Sequence, residues 1–393
     1  IGAYALDTVS TSNDSVAVGY YAMTSGTSAG ITAVGSHALQ SLTDGVGHVA
    51  VGFEALKTAT EHSYSTAIGY KALSTMGAAH ANTAVGYHAG KATTTGASNV
   101  FVGSDAGLTN TEGEENVLVG AAAGDSVTTG SQNTAVGANA LQSTTTPDGN
   151  TAIGRSALYT NTTGATNTAV GKNALYNNTE ATSNVGVGFA AGLHVTTGGL
   201  NTLVGLYAGA TANGITTGSQ NTIIGANTST NAANGVGLIV LGYNVAGQED
   251  YHFTFGNGGT HRVYNAFNSN ASWTRSSDER KKTNISDSTL GLDFINELRP
   301  VTFNWKDSRD TPKTFISYNA DKNEMDTDIT MHGMLAQDVK AALDKAGVDT
   351  FGGWAEEKDG SQSISQEMFV HPIIKAIQEL SAEVKELKAK LKD

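Results

Sequence analysis

A glycine that follows a branched aliphatic residue or Leu recurs through the first 242 residues at a nearly fixed interval: Gly2, Gly19, Gly35, Gly52, Gly69, Gly86, Gly103, Gly120, Gly137, Gly154, Gly171, Gly188, Gly205, Gly225 and Gly242. The spacing is seventeen throughout, apart from one interval of sixteen (Gly19 to Gly35) and one of twenty (Gly205 to Gly225). A period of this size is too short for each unit to bury a core alone. It means a stacked solenoid or array in which neighbours stabilise one another.

The repeat has an internal grammar. Before the glycine stand residues such as Val85, Val102, Val119, Val136, Ile153 and Val170, which suit a pleated, buried strand. Three residues after it comes Ala in the first thirteen copies, from Ala5 to Ala208, a position that accepts one methyl group and so implies a tight inner corner or a close approach between chains. The next residue alternates between Leu (Leu39, Leu56, Leu73, Leu141, Leu158) and Gly (Gly90, Gly107, Gly124, Gly192, Gly209), so core volume varies along the axis. Four residues before the glycine, Asn fills nine successive copies, from Asn82 and Asn99 to Asn201 and Asn221. Asn tolerates left-handed backbone and its amide bonds neighbouring main chain, so stacked turns predict an Asn ladder. Runs such as Thr93-Thr94-Thr95-Gly96 read as the exposed turn of each coil.

Helical packing is excluded here, because Gly and β-branched residues at this density cost a helix roughly 0.5 to 1 kcal/mol each relative to Ala. The chain is therefore expected to be mainly β here, a solenoid whose coils are strands and turns. At a strand separation of about 4.8 Å, fifteen coils make a rod of roughly 70 Å.

Charge divides the chain. Residues 1–248 carry five basic and twelve acidic side chains, whereas residues 277–393 carry sixteen and twenty-two. The formal net charge of −13 and the lack of a basic stripe argue against nucleic acid as a partner, since phosphate binding relies on clustered Lys and Arg. No apolar run approaches the roughly 20 residues of a membrane span, and no signal peptide is visible, so membrane insertion is not expected. With no cysteine there is no disulfide or thiolate chemistry. The chain begins at Ile1, inside a repeat and without Met, which leads to the expectation of a missing N-terminal region that attaches it to a virion.

The Asn-Thr/Ser-Ala-Val/Ile-Gly core of these units resembles the head repeats of trimeric bacterial adhesins and the shafts of some phage tail fibres. That resemblance implies a parallel β-roll assembled as a homotrimer. Beyond Tyr243, residues 249–276 read as a β-rich stem, with Tyr251–Phe255 and Arg262–Phe267 separated by the turn Gly256-Asn257-Gly258-Gly259.

Next comes Ser276-Ser277-Asp278-Glu279-Arg280-Lys281-Lys282-Thr283-Asn284-Ile285. It resembles the Ser-Asp-x-Arg-x-Lys-x-Asn-Ile opening of the intramolecular chaperone at the C-terminus of phage tailspikes, fibres and endosialidases, a family classed as self-cleaving serine peptidases. Leu298–Trp305, Gly333–Val339 and Ile374–Leu380 match further family segments in order. The resemblance implies an α+β chaperone over 277–393, with Ser277 and Lys282 as a Ser-Lys dyad and Ser276–Ser277 as the bond cut in a single turnover. A serine hydroxyl is a poor nucleophile until a base takes its proton, and a lysine is such a base only when burial lowers its pKa. Lys282 is therefore expected to be desolvated in the assembled trimer. Lys281 offers a second amine, although register favours Lys282; Asp278 and Arg280 suit a salt bridge or turn better than catalysis.

At the C-terminus Ile373, Ile377, Leu380, Val384, Leu387 and Leu391 are spaced four, three, four, three and four. This is a heptad seam, expected to form a coiled coil over about 370–393. The seam does not choose the number of strands; the resemblance implies three.

The sequence thus reads as a bacteriophage tail-fibre or receptor-binding segment acting on the virion, assembled in the host cytoplasm. Its expected partner is a host cell-surface receptor, with glycans among the candidates. The alternatives are a glycan depolymerase, for which only Asp105, Glu112, Glu114, Glu115 and Asp125 cluster in the rod, and a cellular trimeric adhesin. Neither a cofactor nor a metal is expected: the glycine clusters belong to the repeat, and His37, His48, His80 and His88 lack metal spacing. Aromatic residues directly after the glycine (Tyr20, Phe53, Tyr70, Tyr87, Phe189) suit packing between coils or chains better than stacking on sugars.

Overall fold

The computed structural model describes residues 1–9, 14–61, 63–211, 214–259, 261–266, 277–315, 317–321, 323, 325 and 327–391. It contains two compact units, Ile1–Ser276 and Ser277–Asp393.

The first unit is the expected parallel β-solenoid. One sixteen-stranded sheet takes its strands in chain order, from Val16–Val18 to His261–Ala266. In the regular coils the register is one repeat, with Thr134 beside Thr151, Ala135 beside Ala152 and Val136 beside Ile153. The central residue of each three-residue strand is buried and its two neighbours face outward, so the aliphatic residue before the glycine, expected to be buried, is instead partly exposed, because successive side chains of a strand point to opposite faces. Period-two alternation thus operates inside a seventeen-residue coil.

Each repeat position has a physical reason. Gly103 has φ +135°, and a Cβ there would overlap the carbonyl oxygen of Gly120 in the next coil. The Ala three residues on is wholly buried at Ala55, Ala72, Ala140 and Ala157, so the tight corner is internal to one chain. The following position is left-handed: Leu141 has φ 53° and Leu158 φ 51°. That conformation costs roughly 1–2 kcal/mol per residue. Complete burial of the leucine returns about 1.5–3 kcal/mol, so burial wins. Where this position is Gly, the missing volume comes from a strand centre. Phe101 fills the space over Gly90 and Gly107, and Leu203 that of Gly192 and Gly209.

The Asn ladder forms. Asn116 donates its backbone N–H to Asn99 Oδ1 at 2.9 Å, and its own Nδ2 donates to the Gly130 carbonyl at 2.8 Å. Equivalent bonds run to Asn221, whose Oδ1 accepts the amide of Leu238. Left-handed geometry lies one residue earlier than the Asn, at Ala81, Ser98, Glu115, Gln132, Thr166, Ser183, Leu200 and Gln220. The Asn is needed instead for its amide, which reaches both the next coil's N–H and its turn carbonyl. In earlier coils Ser65 and His48 take this place and accept the same kind of bond.

Of the region read as a stem, His252–Asn257 adds to the solenoid sheet, parallel to Ile239–Tyr243, and His261–Ala266 returns antiparallel. Phe267 lies outside the described residues.

The second unit is small and α+β. It contains α1 (Leu292–Glu297), α2 (Ala336–Lys345) and α3 (Val370–Lys390), with antiparallel pairs Val301–Phe303/Met331–Gly333 and Trp354–Glu356/Gln362–Ile364. Its core gathers Leu290, Phe294, Val339, Leu343 and Phe369. The start of α1 is capped at long range: Glu379 on α3 accepts the Leu292 N–H at 2.7 Å.

Candidate functional site

Asp278 organises the start of the second unit. Its Oδ1 accepts the backbone N–H of Arg280 at 2.9 Å, capping a 3-10 turn over Glu279–Lys281. The Arg280 guanidinium returns to the same carboxylate at 3.0 and 2.6 Å. This fork and the backbone bond hold the Asp278 carboxyl at a pKa of about 2. Lys282 closes the turn by donating its backbone N–H to Glu279 O at 2.9 Å.

The turn folds a five-residue separation back on itself. Lys282 Nζ donates to Ser277 Oγ at 2.7 Å. This is hydrogen-bonding reach between a nucleophile type and a base type. Lys282 and Ser277 are both exposed, so the described residues do not supply the expected desolvation of Lys282. Ser276, the other half of the expected scissile bond, lies outside the described residues.

The downstream motif segments meet through the sheet. Val301–Phe303 pairs with Met331–Gly333, and Arg299 forms an ion pair with Asp338 at 2.8 Å. Leu298, Met334 and Val339 pack in or against the core, so these segments build the fold. A second Asp-x-Arg turn, Asp307-Ser308-Arg309, repeats the capping and the fork, and it also holds Asp307 at a pKa of about 2. The motif reading missed this copy, although the Asp-x-Arg spacing is visible in the sequence.

Of the heptad residues, Ile377, Leu380, Val384 and Leu387 are exposed along α3. In the first unit, three of the five carboxylates that cluster in sequence have local partners: Asp105 lies 3.4 Å from His88, Glu115 accepts from Gln132, and Asp125 accepts from Ser126. Burial pushes the Asp125 carboxyl up and the His88 imidazole down. Among the described residues no group of three or more His, Cys, Asp or Glu could hold a metal ion, and no helix is long and apolar enough to cross a membrane.

Residues 277–348 match the family model described as chaperone of endosialidase, the peptidase S74 family. No curated protein and no solved structure matches the chain. The C-terminal unit thus carries a chaperone-of-endosialidase domain, and together with the solenoid of seventeen-residue repeats it fits a tail fibre with a C-terminal chaperone.

Proposed function

We propose that this chain is part of a bacteriophage tail fibre that engages a host cell surface, and that its C-terminal unit drives assembly of three copies before cutting itself free. The observation that carries the cleavage reading is the 2.7 Å contact between Lys282 Nζ and Ser277 Oγ, at the start of the segment matching the chaperone family. The exposed apolar seam of α3 supports association of chains through that helix.

In the contact as it stands, the ammonium of Lys282 donates. Burial between copies disfavours the charged amine, and a neutral Lys282 accepts the Ser277 proton through the same geometry. The Ser277 oxygen then attacks the Ser276 carbonyl carbon. The bond from that carbon to the Ser277 nitrogen breaks, the amine takes up the proton, and an ester remains on Ser277. Water hydrolyses the ester, leaving a carboxylate at Ser276 and a new amino terminus at Ser277. Dependence of Lys282 on assembly for its burial makes the cut a readout of correct folding.

The test is the intact mass of purified protein alongside its assembly state. Wild type should give residues 1–276 and a fragment starting at Ser277, whereas Ser277→Ala and Lys282→Ala should stay whole. Normal processing of folded Lys282→Ala removes Lys282 from the mechanism and makes Lys281 the residue to test.

A further inference from the structure

The one long interval of the repeat shapes the surface around it. Seven residues after the glycine the side chain is taken into the coil, and Asn161, Asn178 and Val195 are wholly buried. The residues flanking that position form two outer columns, Thr160, Asn177 and His194 in one and Thr179, Thr196 and Thr216 in the other. In the twenty-residue coil the buried residue is Ile215, ten positions after Gly205, so the three extra residues fall between Thr211 and Ile215. Gly214, the last of them, lies against His194, and a Cβ on it would come 2.8 Å from the ring Cδ2. At this interruption a cavity of about 830 Å³ opens, lined by both columns together with Thr211 and Gly214. Ligand pockets span roughly 300–1,000 Å³.

The lining sets the chemistry of what fits. Thr160 donates its hydroxyl to the Tyr176 carbonyl at 2.7 Å, Thr179 to that of Thr196 at 3.2 Å and Thr196 to that of Thr216 at 3.1 Å. With its proton committed to the next coil, each oxygen offers only lone pairs, beside a methyl group. A ligand must therefore bring hydrogen-bond donors and C–H surface. Carboxylates and phosphates bring acceptors, and no Lys or Arg stands among the described lining residues to hold them. A cation calls for a carboxylate, and none of those residues is Asp or Glu. The Asn177 amide and the His194 imidazole add groups that can donate or accept. An uncharged polyhydroxyl ring meets these conditions: its hydroxyls donate to the threonine oxygens, and its C–H edges rest on methyl groups, including those of Ala210 and Ala233.

We propose that the cavity lined by Asn177, His194 and Thr196, beside the extra residues of the twenty-residue coil, binds a neutral sugar of a surface glycan. The proposal rests on the reading that this chain engages a host cell surface, and it names the site and the class of ligand.

The test uses the full-length protein and saturation-transfer NMR with glucose, galactose, mannose and N-acetylglucosamine, with glucuronic acid as the anionic comparison. The variants are Asn177→Ala/His194→Ala, which removes the amide and the imidazole, and Thr196→Val, which keeps the shape and removes an acceptor oxygen. Thermal melting checks that each variant folds. The expected result is transfer to at least one neutral sugar, at least fivefold weaker in a folded variant, and none to glucuronic acid. Transfer that the folded variants leave unchanged, transfer to glucuronic acid alone, or no transfer to any sugar overturns the site. The same proteins, fluorescently labelled, are applied to a panel of bacterial strains. Staining by wild type that the variants lose supports the site, and staining that they retain overturns it while host engagement stands. Absence of staining on every strain overturns host engagement, and the sugar measurements still decide the cavity.

Discussion

The ring of Phe101 occupies the place that a side chain on Gly107 would take: a Cβ built on Gly107 would overlap it. Elsewhere the solenoid fills its core with Ala at the strand centre and Leu at the corner, as in Ala135 and Leu141. The two arrangements exchange volume between positions six residues apart.

That exchange predicts coupling. Phe101→Ala alone should cost about 3–5 kcal/mol. Gly107→Leu alone should also destabilise, through overpacking. Together they recreate the Ala–Leu arrangement, and Gly107 at φ 59° already has the backbone that Leu141 adopts. Chemical unfolding of both single variants and the double should show the double more stable than the sum of the singles predicts.

The ladder makes a second prediction. Asn133 Oδ1 accepts the Asn150 N–H at 3.0 Å, and its Nδ2 donates to Pro147 O at 3.0 Å. Asn133→Ala leaves both groups buried without partners, at about 1–3 kcal/mol for each. Thr163→Ala, on the exposed turn, should change the unfolding midpoint little.

Ala140 and Gln132 separate inside from outside. Ala140→Leu should overpack a wholly buried corner and cost roughly 1 to 3 kcal/mol per chain in thermal melting. Gln132→Leu should be tolerated, because Leu200 already occupies the equivalent left-handed, exposed position. Equal tolerance at both sites would mean that the corner is not packed as described.

Acid should loosen the turn that brings Lys282 to Ser277. Arg280 lowers the Asp278 pKa to about 2, so the turn's support from that carboxylate is complete above its ordinary pKa of about 3.9 and is lost as pH falls toward 2. An NMR titration of the Arg280 Nε–H should follow that window. In Asp278→Asn the transition should be absent.

The seam of α3 predicts dependence on the C-terminal helix. Removing residues 373–393 from the coding sequence should leave the solenoid unit monomeric or aggregated by sedimentation. A soluble oligomer from that shortened chain would show that the helix is dispensable for assembly.

The repeat made most of the first unit readable in advance. A strict period, a β-branched residue before glycine and a small residue after it leave few ways to stack, and Ala140, Asn133 and Gly137 have the roles that their chemistry suggests. The contact between Ser277 and Lys282 is local, because a capped turn needs only neighbouring residues; their role as a dyad is what the family resemblance implies and is proposed. Tertiary structure decided what depends on residues distant in sequence. The placement of left-handed backbone at Gln132 instead of Asn133, and of strained Leu141 at a buried corner, follows from the coil above and below. The cap of Leu292 by Glu379 depends on α3 folding back across the unit. The outward placement of aliphatic residues such as Val136 and Ile153 became visible only when the coils were stacked, because exposure is a property of the packed sheet and each three-residue strand alone has too little pattern to show it.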